Sequence, residues 1–397
     1  MENTIDKSPA AKDIYVGKLS KYIKYKSWVR LLQKSDLKLL TFFRKLNGSV
    51  DHTAMSLYCF ESAVYNIIKN NKAVESELVK PLFIRNIQPT FWYNDETGIF
   101  RINNESISLI PLWHKYISVT KYVKTKDKDS MRFLESLLDK GYMVILQTVF
   151  ERVKFYQKYD PKFDFNNYYQ GEANHANIIL FHEADKFYFV DKLPYCVNDN
   201  FVSFEDNQSI GVAYKSELEE AFNYFMRCYT LDLDVQQLNN KEALNSNIIA
   251  YIGEIACSYT GTTISKHGYT LYHGILAWEK LIEFCEKGVD IKNYFHTQGW
   301  TRYDRICFDI WMLHGSRLIL LEYLVQIKKS SGCVDNFSLL INTLVKSINQ
   351  IKLLEKVLAK RAISRNSQLD NRIADRIRAI IETENLLYER LKDFTKI

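Results

Sequence analysis

The sequence has no glycine-rich phosphate cradle: neither G-x-x-x-x-G-K-[ST] nor G-x-G-x-x-G occurs in its 397 residues, which excludes nucleotide binding by either device. Seven cysteines, an odd number, are scattered without close pairs or Cys/His metal spacing. That argues against a disulfide framework and a zinc site, so no metal and no cofactor is expected, and most thiols should be small buried hydrophobes. Only 6 prolines and 14 glycines are present, with no Gly/Ser- or Pro-rich linker and no fixed-period repeat, so the parts of the chain should pack closely and not hang on a tether. No apolar run approaches the roughly 20 residues needed to span a bilayer, and the start, "MENTIDKSPAAKDIYVG", has no apolar core behind a basic head. A cytoplasmic protein without membrane contact is expected. The net charge of +6 is modest, with lysines gathered at 18–34 and 121–129; there is no strong basic stripe or nucleic-acid module, so no nucleic-acid partner is expected. An acidic protein partner or a merely solvated surface would each account for the lysines.

What is present is a globular composition, 47% hydrophobic and 25% charged, in a chain long enough for two domains. Up to about residue 230, short aromatic and β-branched segments such as "PLFIRN", "TFWYNDETGIFRINN" and "YMVILQTVF" alternate with turns, an α+β pattern with an antiparallel sheet. Beyond it strand signals almost vanish and amphipathic runs cover 243–258, 270–286, 301–328, 336–361 and 371–394. The expectation is a catalytic domain over 1–230 and a helical domain over 231–397. Phe337, Leu340, Leu344, Ile348, Ile351 and Leu354 keep a three-to-four residue step, so one stripe should face a bundle core.

"NHANIILFHEADKFYFVD", residues 174–191, reads as a β-hairpin turning near Glu183-Ala184-Asp185. Such a hairpin would make His175 and Asp191 cross-strand neighbours. Upstream, "HTAMSLYCFESAVYNIIKNN", residues 52–71, predicts a helix; with Ser56 as its cap, Cys59 falls in the first turn, where the dipole and unpaired N–H groups favour a thiolate. Thiol, imidazole and carboxylate in the order Cys59, His175, Asp191 match nucleophile, proton carrier and orienting group. The Cys59 N–H with a donor near His52 or Thr53 would form an oxyanion site. Each residue also has a plain structural account: Cys59 as buried filler, His175 as a strand residue, Asp191 as a turn former.

"YCFESAVYNIIKNN", "KGYMVILQTVFERVKFYQKYDPKF" and the hairpin followed by "YKSELEEAF" resemble the papain-like family typified by butirosin biosynthesis protein H. The resemblance implies a papain-like fold in the first 230 residues. It also implies a place in antibiotic biosynthesis of the nonribosomal-peptide type: Cys59 would take an acyl group from the phosphopantetheine thioester of an acyl or peptidyl carrier protein and pass it to an amine or diamine. His175 would relay the proton and Asp191 orient it. Val149 or Phe150 stands where the family often has an aspartate, which leaves that acid's role unfilled. Trp278, Trp300, Tyr303 and Trp311 could line an acyl channel, with His314 and Arg317 either touching substrate or simply satisfied. A cysteine peptidase or amidohydrolase, and a noncatalytic binding protein, remain as alternatives.

Overall fold

A computed structural model describes residues 59–396 except 70, 72, 76–78, 85–86, 95–99, 104–109, 150–151, 156–173, 192–195, 198–199, 202–210, 223, 262, 267–268, 288–304, 332–334 and 365–367. In chain order the regular elements begin with α1 (Cys59–Lys69), β1 (Thr90–Asn94), β2 (Phe100–Asn103), β3 (Ile117–Thr125), α2 (Lys128–Asp139) and β4 (Val144–Val149). Next come β5 (Asn174–Glu183), β6 (Lys186–Asp191), the short β7 (Cys196–Val197) and β8 (Asn200–Phe201), β9 (Gly211–Tyr214), α3 (Lys215–Glu220) and β10 (Phe225–Leu233). The remainder is α4 (Val235–Asn239), α5 (Lys241–Cys257), β11 (Thr263–Lys266), β12 (Tyr269–His273), α6 (Ile275–Glu286), α7 (Arg305–Ser331), α8 (Asp335–Ser364) and α9 (Gln368–Phe394). The chain is α+β, with antiparallel sheets and a helical C-terminal region. No described helix is long and apolar enough to cross a membrane.

Two compact units result, and their division differs from a single cut at 230. The first takes 1–79, 116–166 and 171–239; the second takes 80–115, 167–170 and 240–397. The reason lies in strand pairing. β12, in the stretch read as all helix, pairs antiparallel with β1, Phe91 opposite Tyr272, and the sheet order β11-β12-β1-β2 draws the earlier strands into the second unit. Local pattern shows that a segment is extended but not which distant strand it meets. β10 itself runs across residue 230.

The first unit is built on a six-stranded antiparallel sheet ordered β3-β10-β4-β5-β6-β9. Its central strands are apolar because both faces are covered: Val144, Ile145 and Leu146 are all buried. α2 starts where Asp127 accepts from the N–H groups of Asp129 and Ser130 at 3.0 and 2.9 Å, an N-cap that satisfies two otherwise orphan donors. α1 carries Glu61 in its first turn and Lys69 in its last, the order the helix dipole favours.

In the second unit the predicted stripe on α8 is buried at all six positions. Ile351 and Leu354 join Phe91, Trp278, Leu281, Ile310, Leu313 and Ile377 in one core. Buried within this unit, Arg317 donates to the Ile87 carbonyl from Nε at 3.1 Å and Nη2 at 2.9 Å, and also to Ser347 Oγ and the Glu384 carboxylate. The second oxygen of Glu384 accepts from Trp278 Nε1 at 2.8 Å.

Candidate functional site

Cys59 is the first residue of α1 and is half-buried. It differs from Cys228 and Cys285, which are buried and whose thiols burial pushes up to about 12; those two are packing residues. α1 packs on β5 and β4, and residues 61–68 are buried. Ser56, His52 and Thr53 lie outside the described residues.

His175 is the second residue of β5 and is buried. Its direct partner is Thr148 on β4, and position 191 stands opposite Asn177. The expected pairing of 175 with 191 is therefore off by two: they are diagonal neighbours on one face, still within reach for long side chains. The cause is readable in the register. The hairpin closes through a two-residue turn with Glu183 opposite Lys186, and a bulge between Ile179 and Phe181 then shifts the pairing by one. Without that extra residue, position 191 would oppose Ile178 and belong to the other face. The Asp191 side chain lies outside the described residues.

The two faces are covered differently. Thr148 Oγ1 donates to Asn177 Oδ1 at 3.0 Å, and Leu146, opposite Asn177, pairs on its other side with Cys228, which pairs with Tyr122. Tyr122 lies against Phe133 of α2 with ring centroids 5.2 Å apart. The face of His175 is thus the face α2 covers. Ile145, Gln147, Ala176, Ile178 and Tyr229 form the opposite face by the same register. There Phe60, the residue after Cys59, sets its ring edge-on to Tyr229 at 4.9 Å. Along the described elements, the start of α1 and position 175 lie on opposite faces of the sheet.

The aromatic channel expected in the C-terminal half divides. Trp278 is core, its indole N–H committed to Glu384, which corrects the channel role given to it. Arg317 is likewise held by protein groups. Its guanidinium is kept charged beyond its ordinary range by Glu384 and Tyr388, against a desolvation effect that is larger than either alone. Trp300, Tyr303 and the side chain of Trp311 lie outside the described residues, and His314 is half-buried on α7. No group of three metal-ligating side chains occurs among the described residues.

Sequence reading passed over Gln147 and Tyr229. Tyr229 OH donates to Gln147 Oε1 at 2.9 Å, and both are half-buried. The available signal was an amide interrupting the apolar strand "MVILQTV". Comparison with protein-family models finds no match, and comparison with curated proteins finds none either.

Proposed function

We propose that this chain is a cysteine-dependent acyltransferase of papain-like fold, working in the cytoplasm in natural-product assembly. It accepts an acyl group from a carrier-protein thioester as a thioester on Cys59 and delivers it to an amine, forming an amide. Attack by the Cys59 sulfur and departure of the carrier thiol exchange one thioester for another at little net cost, and the amide product lies lower in energy. For His175, which lies on the other face of the sheet from the start of α1, to take the proton of the incoming amine, its ring must reach the acyl group around the start of β5, with Asp191 orienting it. The observation that carries the reading is the bulge between Ile179 and Phe181, because an extra residue that brings an acid position onto a histidine's face is a feature typical of sites that re-aim side chains. Further support is a half-buried thiol at a helix start, where backbone N–H groups favour an anion.

The test is incubation with an acylated, phosphopantetheine-bearing carrier protein, followed by intact mass measurement. One acyl group per chain is expected, absent in Cys59→Ala, and discharged onto an added primary amine. His175→Ala should slow the discharge by about 100-fold or more. An adduct that persists in Cys59→Ala, or none on the native chain, overturns the proposal.

A second reading is favoured by one observation, the separation of Phe60 and His175 onto opposite faces. In it the fold is kept for recognition and Cys59 is not a nucleophile. Carrier binding without an adduct, unchanged by Cys59→Ala, would be its signature.

A further inference from the structure

The sheet face that the start of α1 meets carries a phenol, Tyr229, and an amide hydrogen-bonded to it, Gln147. Phe60 and Tyr229 meet with their rings at 71°, an edge-on contact that fixes the phenol relative to the residue next to Cys59. Tyr229 stands opposite Ile145 and Arg227 opposite Gln147, so Tyr229 and Gln147 are diagonal neighbours and their 2.9 Å bond follows from the register. Burial holds the phenol above its ordinary range, with Arg227 opposing and Cys228 adding, so at neutral pH the hydroxyl keeps the proton that it donates to the amide oxygen. That bond occupies the amide oxygen and leaves the NH2 group out of it. Among the described residues Gln147 Nε2 has no hydrogen-bond acceptor, and the side chain is only half-buried, so the amide hydrogens remain open to a ligand.

We propose that Gln147, held in place by Tyr229, is the hydrogen-bond donor for the carbonyl oxygen of an acyl thioester reacting at Cys59. This rests on the acyl-transfer reading above. In the step, the thiolate sulfur of Cys59 forms a bond to the acyl carbon, and the carbonyl π pair moves onto oxygen, where Gln147 Nε2–H receives it. Collapse of that oxyanion restores the carbonyl and breaks the bond to the departing sulfur, which leaves as a thiolate. One thiolate enters and one leaves, so no net proton is needed. A fixed donor aimed at developing charge acts most strongly where water is partly excluded.

The experiment uses the full chain and two reagents: the hexanoyl thioester of N-acetylcysteamine, which acylates through an oxyanion, and iodoacetamide, which alkylates a thiolate without one. Gln147→Ala should acylate at Cys59 about 100-fold more slowly while its alkylation rate stays within about 2-fold of native. Gln147→Glu keeps the shape, lacks the donor, and should fall as far in acylation. Tyr229→Phe frees the amide to rotate and should fall by about 5-fold, consistent with losing one orienting hydrogen bond of about 1 kcal/mol. Native-rate acylation in Gln147→Ala, or acylation and alkylation falling together, overturns the assignment of Gln147 alone. A native chain that takes no acyl group at Cys59 overturns the acyl-transfer reading and this assignment with it.

Discussion

Arg317 and Gln147 are both polar side chains embedded in apolar surroundings, one in each unit, and they differ in how much of their bonding capacity is used. All three nitrogens of Arg317 donate to protein acceptors, and both oxygens of Glu384 accept. Gln147 uses its oxygen and keeps its hydrogens. A buried cluster closed on itself is architecture, since any opened bond there leaves a desolvated charge. A half-buried group with a spare donor, hydrogen-bonded to the ring that meets Phe60, is available for something that arrives.

The sharpest way to break the contrast is to open the closed cluster. Arg317→Met should cost about 3–5 kcal/mol, because the Glu384 carboxylate is left buried without its cation. The double change Arg317→Met with Glu384→Leu should recover most of it, since both charges are then gone. Gln147→Ala should cost only about 1 kcal/mol, the hydrogen bond it makes with Tyr229. Urea unfolding of the four proteins reads all of this. A Gln147→Ala loss as large as that of Arg317→Met would erase the distinction.

Acid gives a smaller effect in the second unit. Burial pushes His273 down to about 4, with a backbone hydrogen bond at Ser258 opposing, whereas the unfolded ring titrates near its ordinary value of 6.5. The unfolded chain therefore binds the proton first, so the neutral ring's contribution is fully present above about 6.5 and is lost as pH falls toward about 4, a change of order 2–3 kcal/mol. Glu355 runs the other way: burial raises it to about 6, and its ionisation lowers stability as pH rises from 4.5 to 6. The His273 contribution is isolated by subtraction. The native chain minus His273→Phe should lose stability steadily between pH 6.5 and 4, and a difference flat in pH would refute it.

These features were not equally legible in the amino acids. The α8 stripe and the hairpin ending at Glu183 and resuming at Lys186 follow from periods of 3.6 and 2, which are local properties. The partnership of β1 with β12 was invisible, because both segments simply read as extended or apolar. The bulge was invisible too: "NIILF" alternates no differently with or without an extra residue, yet it decides which face position 191 joins. Trp278 read as channel lining because aromatic content does not say which way a ring faces. Its partner Glu384 lies 106 residues away. Gln147 carried its signal in the open, as an amide in an apolar strand, but its meaning depends on Tyr229 from another strand.

The smallest change tests the hairpin that bears the bulge. Ala184 sits at φ 52°, the one non-glycine residue with positive φ among those described, and an L side chain in that region costs roughly 1–2 kcal/mol. Replacing it by glycine removes this cost and adds about 0.5–1 kcal/mol of extra chain entropy to the unfolded state. The net is a gain of about 0.5 kcal/mol in the first unit. Amide exchange should slow along the rungs from Glu183–Lys186 to Phe181–Tyr188, while Arg317, in the other unit, is unaffected. Because the bulge begins beyond those rungs, the register at Asn177 and position 191 should not move, and Cys59 should alkylate at its native rate. A glycine that loosens the hairpin would mean that the turn conformation at Ala184 is set by something other than backbone strain.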